Sequence, residues 1–241
     1  MIIHNRKLVY KAVAGSVNRN LHDENSDIDI KMFVLPTFDD LYESKVYKNF
    51  TTSDEQDVEI HDIRKLSKLL YNSNLSYLEL FFSAVKDTNG YSKMDALVDM
   101  REELPKINLQ SLYNSCLGMF NGQKKDLTNA NSELQKEIIS KYGYNTKKAM
   151  MAMHFLKFIT RYYETDFSNF QHAIWYENRD RDFMLSIKHG KYDFYQVSKM
   201  LEDELDKAET LKSQYHSFEI NNETNDKVNK LIKDMVWLGL K

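Results

Sequence analysis

Cysteine, proline and glycine are scarce in this sequence. Its 241 residues include one cysteine, Cys116, together with two prolines and seven glycines. One cysteine cannot form an internal disulfide or a cysteine-based zinc knuckle, and such usage is typical of a reducing compartment, so we expect a cytoplasmic protein. Because proline and glycine interrupt regular structure, their scarcity predicts long helices and strands joined at a few defined turns.

Long apolar runs and an excess of one charge are also lacking. No stretch reaches the roughly 18 uninterrupted apolar residues of a membrane-spanning helix, and the N-terminus has no apolar signal segment, so we expect no membrane partner. The 33 Lys and Arg against 36 Asp and Glu leave a formal net charge of −3, which argues against a clamp that holds nucleic acid by overall positive charge. An apolar fraction of 42% does supply the material for a packed core.

Two strands are predicted near the N-terminus. Residues 7–14 are β-branched, aromatic and apolar, and they stop at Gly15-Ser16, which is typical of a strand followed by a tight turn. In residues 26–35, polar and apolar side chains alternate until Pro36, so a second strand is predicted there. Its alternation separates a charged face from an apolar face. The charged face carries Asp27, Asp29 and Lys31, and the apolar face carries Ile28, Ile30, Met32 and Val34.

A third strand with an acidic face is predicted over residues 57–61, before a helix that Asp62 would cap. Its polar face carries Asp57, Glu59 and His61, of which the histidine is expected to lie at the surface. Two aspartates two residues apart on a strand, as at Asp27 and Asp29, lie side by side, and such close like charges are costly unless a divalent cation neutralises them. Carboxylates and substrate phosphates together are how magnesium is usually held, so the pattern predicts a magnesium site beside a bound nucleoside triphosphate.

After residue 74 the apolar pattern becomes helical. The predicted helices cover residues 75–84, 94–103, 109–125, 132–141, 146–164, 183–187, 194–213 and 226–240. Because the strands are confined to the first third of the chain, we predict an α+β fold with two domains, residues 1–104 and the helical residues 105–241.

The spacing of these motifs resembles the signature of a known superfamily. Gly15-Ser16, then Ser26-Asp27-Ile28-Asp29-Ile30, then Val58-Glu59-Ile60 is similar to the pattern of the DNA polymerase β-like nucleotidyltransferases. The further segments His61-Asp62-Ile63-Arg64-Lys65, Ser73-Asn74 and Leu78-Glu79-Leu80 resemble the bacterial and phage branch, some members of which are associated with RNA repair. This resemblance implies a nucleotidyltransferase-type mixed sheet with flanking helices in residues 1–104.

The resemblance also implies roles for single residues. In the superfamily, paired aspartates bind two magnesium ions and a third carboxylate completes one of the sites, which assigns these roles to Asp27, Asp29 and Glu59. Gly15 and Ser16 would hold the triphosphate, because glycine allows close backbone approach and backbone N–H groups bind phosphate. Asp57 and Asp62 remain alternatives to Glu59 as the third carboxylate. Further candidate phosphate contacts are Arg19, Lys31, Lys147 and Lys148.

The predicted reaction is magnesium-dependent transfer of NMP from an NTP to an acceptor hydroxyl. An RNA 3′ end, a small-molecule alcohol and a protein side chain all fit this chemistry, and the branch resemblance favours RNA. Two alternatives come from other classes of protein. One is a non-catalytic module that binds a nucleotide or a partner, and the other is a one-metal phosphate hydrolase.

Overall fold

A mixed β-sheet forms the N-terminal part of this computed structural model, which describes residues 1–24, 26–53 and 56–240. The strands are β1 (Ile2–Ile3), β2 (Arg6–Val13), β3 (Ile28–Val34), β4 (Lys48–Thr52), β5 (Gln56–Asp62) and β6 (Lys86–Asp87). Their order is β1-β2-β3-β5-β4, and β6 pairs with β2. The β3–β5 pair is parallel and the other pairs are antiparallel. The remainder of the described chain is helical, so the predicted α+β class is confirmed.

Helices fill most of the chain outside the sheet. They are α1 (Phe38–Tyr42), α2 (Arg64–Tyr71), α3 (Leu75–Leu78), α4 (Ser92–Asp99), α5 (Leu109–Lys125), α6 (Glu133–Tyr142), α7 (Thr146–Glu164), α8 (Phe170–Ile174), α9 (Asn178–Lys188), α10 (Phe194–Thr210), α11 (Lys212–His216) and α12 (Asn222–Gly239). Short 3-10 helices cover Val17–Arg19, Glu79–Phe82 and Leu104–Ile107. The bounds predicted for α5 and α7 are confirmed, whereas residues 75–84 form α3 and a 3-10 helix rather than one long helix.

The predicted alternation of β3 and β5 is confirmed by their packing. The apolar face of these strands joins a hydrophobic core formed by Leu8, Ile30, Met32, Val34 and Ile60. The opposite face carries the charged residues, and the parallel register fixes which of them are neighbours. Asp29 lies opposite Asp57, Lys31 opposite Glu59, and Phe33 opposite His61. Because aligned residues of adjacent strands point to the same side of a sheet, each pair shares one face.

By their internal contacts, the residues group into two compact units. One comprises Met1–Leu109 with Glu219–Lys241, and the other comprises Gln110–Phe218. Helix α12 therefore belongs with the first unit, where it packs on α2 and α4. The predicted domain boundary at residue 104 stays a prediction. The first unit also contains α12, whose apolar residues Val228, Ile232 and Met235 are buried.

The helices were also compared with the requirements of a lipid bilayer. Within the described ranges, none combines the length and the apolar character needed to cross one.

Helix α1 is fixed to the sheet by a buried ion pair. Its N-cap Thr37 and Asp40 form a capping box, in which the Asp40 N–H donates to the Thr37 side chain and the Thr37 N–H donates to Asp40. Arg6 of β2 donates to both carboxylate oxygens of Asp40, from Nε at 2.7 Å and from Nη2 at 2.6 Å. These Arg6 hydrogen bonds lower the pKa of Asp40 from 3.8 to about 2.

We expect Asp40→Asn to lower the free energy of unfolding at pH 7 by about 1 to 2 kcal/mol, because it removes the charge that Arg6 stabilises. A carboxyl with a depressed folded-state pKa stabilises the fold above its unfolded pKa, near 4, and loses this contribution as the pH falls towards 2. The difference between wild type and variant, measured by urea unfolding, should therefore shrink between about pH 4 and pH 2. Asp39→Asn, an exposed neighbour on the same helix, is the matched control and should change little. Equal stability of the Asp40 variant and the wild type at pH 7 would contradict this assignment.

Candidate active site

The Gly15-Ser16 turn lies directly against Asp29 of β3. Gly15 has a φ of +67°, and a Cβ atom at this position would lie 1.9 Å from Asp29 Oδ2. The neighbouring Ala14 N–H donates to the Asp29 backbone carbonyl at 2.8 Å. Both the left-handed backbone and the space taken by the carboxylate therefore require glycine at position 15. The turn at Gly15 and the acidic strand β3, which the sequence relates only through the number of residues between them, are therefore in contact in the fold.

The acidic residues of β3 and β5 gather at one edge of the parallel pair. Asp27 is exposed just before β3, Asp29 is half-buried near its start, and Asp57 is half-buried near the start of β5. The register places Asp57 directly beside Asp29. Asp57, which the sequence left as an alternative, is therefore the β5 carboxylate nearest in register to the paired aspartates.

The donor set can be tested against magnesium. Among residues 1–24, 26–53 and 56–240, no three His, Cys, Asp or Glu side chains form a group that could hold a metal ion, so the carboxylates expected to share ions are not a preformed three-ligand site. Magnesium does not need such a group, since it is usually held by one or two carboxylates and by substrate phosphates. Asp29, in contact with Gly15 of the turn, and Asp27, two residues before it on the chain, fit that mode.

Glu59 contacts two lysines and a histidine. Lys31 Nζ donates to Glu59 Oε2 at 2.7 Å, and His61 Nε2 lies 2.9 Å from Oε1, with Lys48 Nζ at 3.4 Å. The hydrogen bonds from His61 and Lys31 hold the pKa of Glu59 far below its usual range. Its assignment as the third metal ligand stays a prediction, and this geometry favours Asp57 because Glu59 already has counter-charges within the protein.

Tyr77 completes the network around Glu59, although no sequence pattern singled it out. Its hydroxyl lies 2.8 Å from His61 Nε2, and Lys31 Nζ lies 4.2 Å above its ring. Burial raises the pKa of Tyr77 above its ordinary value. The expected surface position of His61 is wrong, because the side chain packs against Phe33 and Tyr77 and the residue is only 3% exposed. Lys31 thus binds Glu59, and its predicted phosphate contact stays a prediction.

Arg19 is buried in a bidentate ion pair. Its Nε and Nη2 donate to the two carboxylate oxygens of Glu79 at 3.0 and 2.9 Å, and the side chains are 5% and 1% exposed. Asn18 also donates to the Glu79 backbone carbonyl. Both contacts attach the 3-10 helix that follows Ser16 to the segment Glu79–Phe82. Arg19 therefore holds the turn in place, and this burial does not favour its predicted contact with phosphate.

Asp62 has a structural partner as well. It is fully buried, and it accepts hydrogen bonds from the Arg64 backbone N–H at 2.9 Å and from the Arg64 guanidinium. The predicted N-cap position of Asp62 is wrong, because α2 begins at Arg64 with Ile63 at its N-cap, and Asp62 is the last residue of β5. Asp62 aligns with Val34 at the far end of the parallel pair from Asp29, which disfavours it as the third carboxylate.

Lys147 and Lys148 belong to the second compact unit. They lie in the first turn of α7, where the Asn145 side chain accepts from the Lys148 N–H at 3.1 Å. Lys147 is exposed, and Lys148 Nζ lies 3.7 Å from Asp126. Their predicted role in nucleotide binding stays a prediction.

Comparison with known proteins agrees with this geometry. A family model described as RlaP, the RNA repair pathway DNA polymerase beta family, matches residues 2–234. The chain belongs to this family. The superfamily and the RNA repair branch that the motifs resemble are thereby confirmed. Membership of RlaP points to a DNA polymerase β-like nucleotidyltransferase. No curated protein gave a significant match to the chain.

In this RlaP family member, the Arg19–Glu79 pair should be a stability determinant. We expect Arg19→Met to lower the free energy of unfolding by about 3 to 5 kcal/mol, because it leaves the Glu79 carboxylate buried and unpaired. The double variant Arg19→Met with Glu79→Met should recover most of this loss, since apolar replacement of a whole buried pair is often close to neutral. Chemical denaturation of both variants measures the effect.

The exposed pair Lys136–Glu133 supplies the control, because its side chains are 60% and 84% exposed. Lys136→Met should change stability by less than about 1 kcal/mol. A loss for Arg19→Met no larger than that for Lys136→Met would show that the buried pair does not anchor the turn.

Proposed function

We propose that this chain is a magnesium-dependent nucleotidyltransferase that transfers NMP from an NTP to the hydroxyl of an RNA acceptor. The observation that carries the proposal is the contact between Gly15 and Asp29. A glycine packed on a strand carboxylate brings a backbone surface suited to phosphates next to a ligand suited to magnesium. Membership of the RNA repair family supports RNA as the acceptor.

The residues of the turn and of β3 bind the nucleotide in this proposal. The Ser16 hydroxyl and the neighbouring backbone N–H groups contact the triphosphate, while Gly15 keeps the approach open. Asp27 and Asp29 would hold the magnesium ions together with phosphate oxygens. When bound, magnesium neutralises charge on the attacking and leaving oxygens during in-line displacement.

Asp57 is the third carboxylate in this proposal, because it lies beside Asp29 in the parallel register. The acceptor oxygen forms a bond to the α-phosphorus, and the bond from that phosphorus to pyrophosphate breaks. Asp57 takes the proton of the acceptor hydroxyl. Glu59 instead fixes Lys31 and His61 on the same face, so it supports the site without touching the reacting groups.

Carboxylate variants separate these roles. We expect Asp29→Asn and Asp57→Asn each to reduce transfer of labelled NMP to RNA by about 10²-fold or more, the scale of a lost electrostatic stabiliser. Glu59→Gln keeps the hydrogen-bonding shape of the side chain and should cost clearly less than either. The assay compares each NTP with magnesium, and it measures both labelled RNA and released pyrophosphate.

Each outcome of this series assigns the third carboxylate. If Glu59→Gln abolished transfer and Asp57→Asn did not, Glu59 would be the ligand and the assignment to Asp57 would fail.

A wild-type protein that releases no pyrophosphate with any NTP, yet is thermally stabilised by nucleotides, would instead be a non-catalytic binding module. Release of inorganic phosphate would indicate a hydrolase.

Gly15→Ala tests the turn itself. The new methyl group would overlap Asp29 Oδ2 and displace the carboxylate, so we expect a loss of transfer of about 10²-fold with a folded protein. Gly90→Ala is the matched control, because Gly90 has a similar φ of +78° but no atom within 4 Å of the added Cβ. Both variants carry the same backbone strain, so equal activity of the two would refute a specific role for the contact between Gly15 and Asp29.

A further inference from the structure

An open groove lies between α2 and α12 on the first compact unit. It encloses about 430 Å³ and is lined by Arg64, Ser67, Asn229, Ile232, Lys233, Asp234, Val236, Trp237 and Leu240. We call it the α2–α12 groove. On α12, the lining residues Asn229, Lys233, Trp237 and Leu240 recur at helical spacing, so they form one continuous face of that helix.

Trp237 is an exposed aromatic residue of this groove. The residue is 62% exposed, and Leu240 is 42% exposed. Large apolar side chains gathered on an open surface commonly mark a binding site. An indole on an open wall offers a flat face on which a second aromatic ring can stack.

The charged residues that line the groove are Arg64, Lys233 and Asp234. Helix α2 contains Arg64, Lys65 and Lys68 and no acidic residue, and Arg64 is ion-paired with Asp62. Helix α12 carries three lysines and three acidic residues; its Lys230 and Lys233 are exposed, seven and four residues before Trp237, and Asp234 is the acidic residue of the lining. The protein as a whole is slightly acidic, so the excess of cations on α2 is local.

We propose that the α2–α12 groove binds single-stranded RNA, with one base stacked on Trp237 and the adjacent phosphates at Lys233 of the lining and at Lys68 and Lys230, which are exposed on the same two helices. An exposed aromatic ring between lysines is the usual composition of a single-strand site, because every base has a stacking face and every nucleotide carries a phosphate. An apolar peptide would match Trp237 but would leave these cations without partners. The inference rests on the proposed function for its choice of RNA.

The groove is separate from the carboxylates. Strand β5 leads from Asp57 to Asp62, about 16 Å for five residues, and α2 follows at once. The groove therefore lies towards the opposite edge of the parallel pair from Asp29 and Asp57. The groove would bind a nucleotide of the acceptor RNA at a distance from its reacting end. It would therefore affect the affinity for the acceptor rather than the rate of the chemical step.

Tryptophan fluorescence tests the stacking directly, since Trp175 and Trp237 are the two tryptophans of the chain. In a Trp175→Phe background, Trp237 is the sole indole, and we expect a 12-nucleotide single-stranded RNA to quench its emission. The titration is done without NTP or magnesium, so it does not depend on catalysis. Anisotropy of labelled RNA then gives affinities, and Trp237→Ala should weaken binding by about 5- to 150-fold.

Salt dependence tests the phosphate contacts. The triple variant Lys68→Gln, Lys230→Gln and Lys233→Gln should reduce the slope of log affinity against log salt by about 2, at about 0.7 for each single-strand phosphate contact. The control triple variant Lys191→Gln, Lys199→Gln and Lys212→Gln changes the net charge equally through exposed lysines of the second unit, and it should keep the wild-type slope. Circular dichroism and thermal unfolding confirm that each variant is folded.

The outcomes distinguish this inference from the proposed function. Quenching and a reduced slope, together with no nucleotidyl transfer, would support the groove and overturn the enzyme proposal. Nucleotidyl transfer to RNA with an affinity that Trp237→Ala leaves unchanged would overturn the groove alone. If Trp237→Ala instead converted a dimer into a monomer in sedimentation, with RNA affinity unchanged, the groove would be a self-association surface and the RNA inference would be wrong.

Discussion

The parallel pairing of β3 and β5 is the constraint on which the candidate site depends. Its register places Asp29 beside Asp57 and, two residues on, Lys31 beside Glu59. Like charges on neighbouring strands are unfavourable, whereas opposite charges stabilise a pair. The Lys31–Glu59 ion pair therefore stabilises the pairing of β3 and β5 two residues from the point where repulsion between Asp29 and Asp57 destabilises it. A slip of one residue would turn the acidic side chains towards the hydrophobic core of Ile30, Met32 and Ile60, so the apolar face fixes the position of the charged one.

The acidic residues of the motif divide into two groups according to their place in the fold. Glu59, Asp62 and Glu79 each form an ion pair with a cationic side chain of the protein, respectively Lys31, Arg64 and Arg19. The Lys31–Glu59 pair holds β3 and β5 together, the Arg64–Asp62 pair lies at the start of α2, and the Arg19–Glu79 pair holds the 3-10 helix after Ser16 in place. Asp27, Asp29 and Asp57 lie at the edge where the parallel strands begin, and Asp29 lies against Gly15. This difference is the reason why Asp57, Glu59 and Asp62, which were alternatives in the sequence, receive different roles in our proposal.

Much of this arrangement could be predicted from the sequence, because alternation and helical periodicity are local. The faces of β3 and β5, the bounds of α5 and α7 and the approximate position of the turn at Gly15 all follow from short patterns. The order of strands and the register do not, since they depend on contacts between segments far apart in the chain. Alternation places Asp57 and Glu59 on the same face but does not indicate which of them is the better candidate for the third carboxylate. The strand register separates them, because Asp57 lies beside Asp29 and Glu59 beside Lys31. Likewise, the amphipathic pattern of α12 reveals an apolar face but not that α2 and α4 cover it.

Net charge is a poor guide to nucleic-acid binding when the charges are segregated. A formal charge of −3 argues against a uniformly basic surface. Helix α2 nevertheless carries Arg64, Lys65 and Lys68 without an acidic residue between them, while Glu59, Asp62 and Glu79 of the motif are neutralised by ion pairs, Asp62 by Arg64 itself. A single strand of RNA needs only a few phosphate contacts when base stacking supplies part of the binding energy, because stacking does not depend on charge. In our proposal, stacking on Trp237 and a few lysines therefore suffice for local RNA binding, with an affinity that depends less on salt than that of a basic clamp.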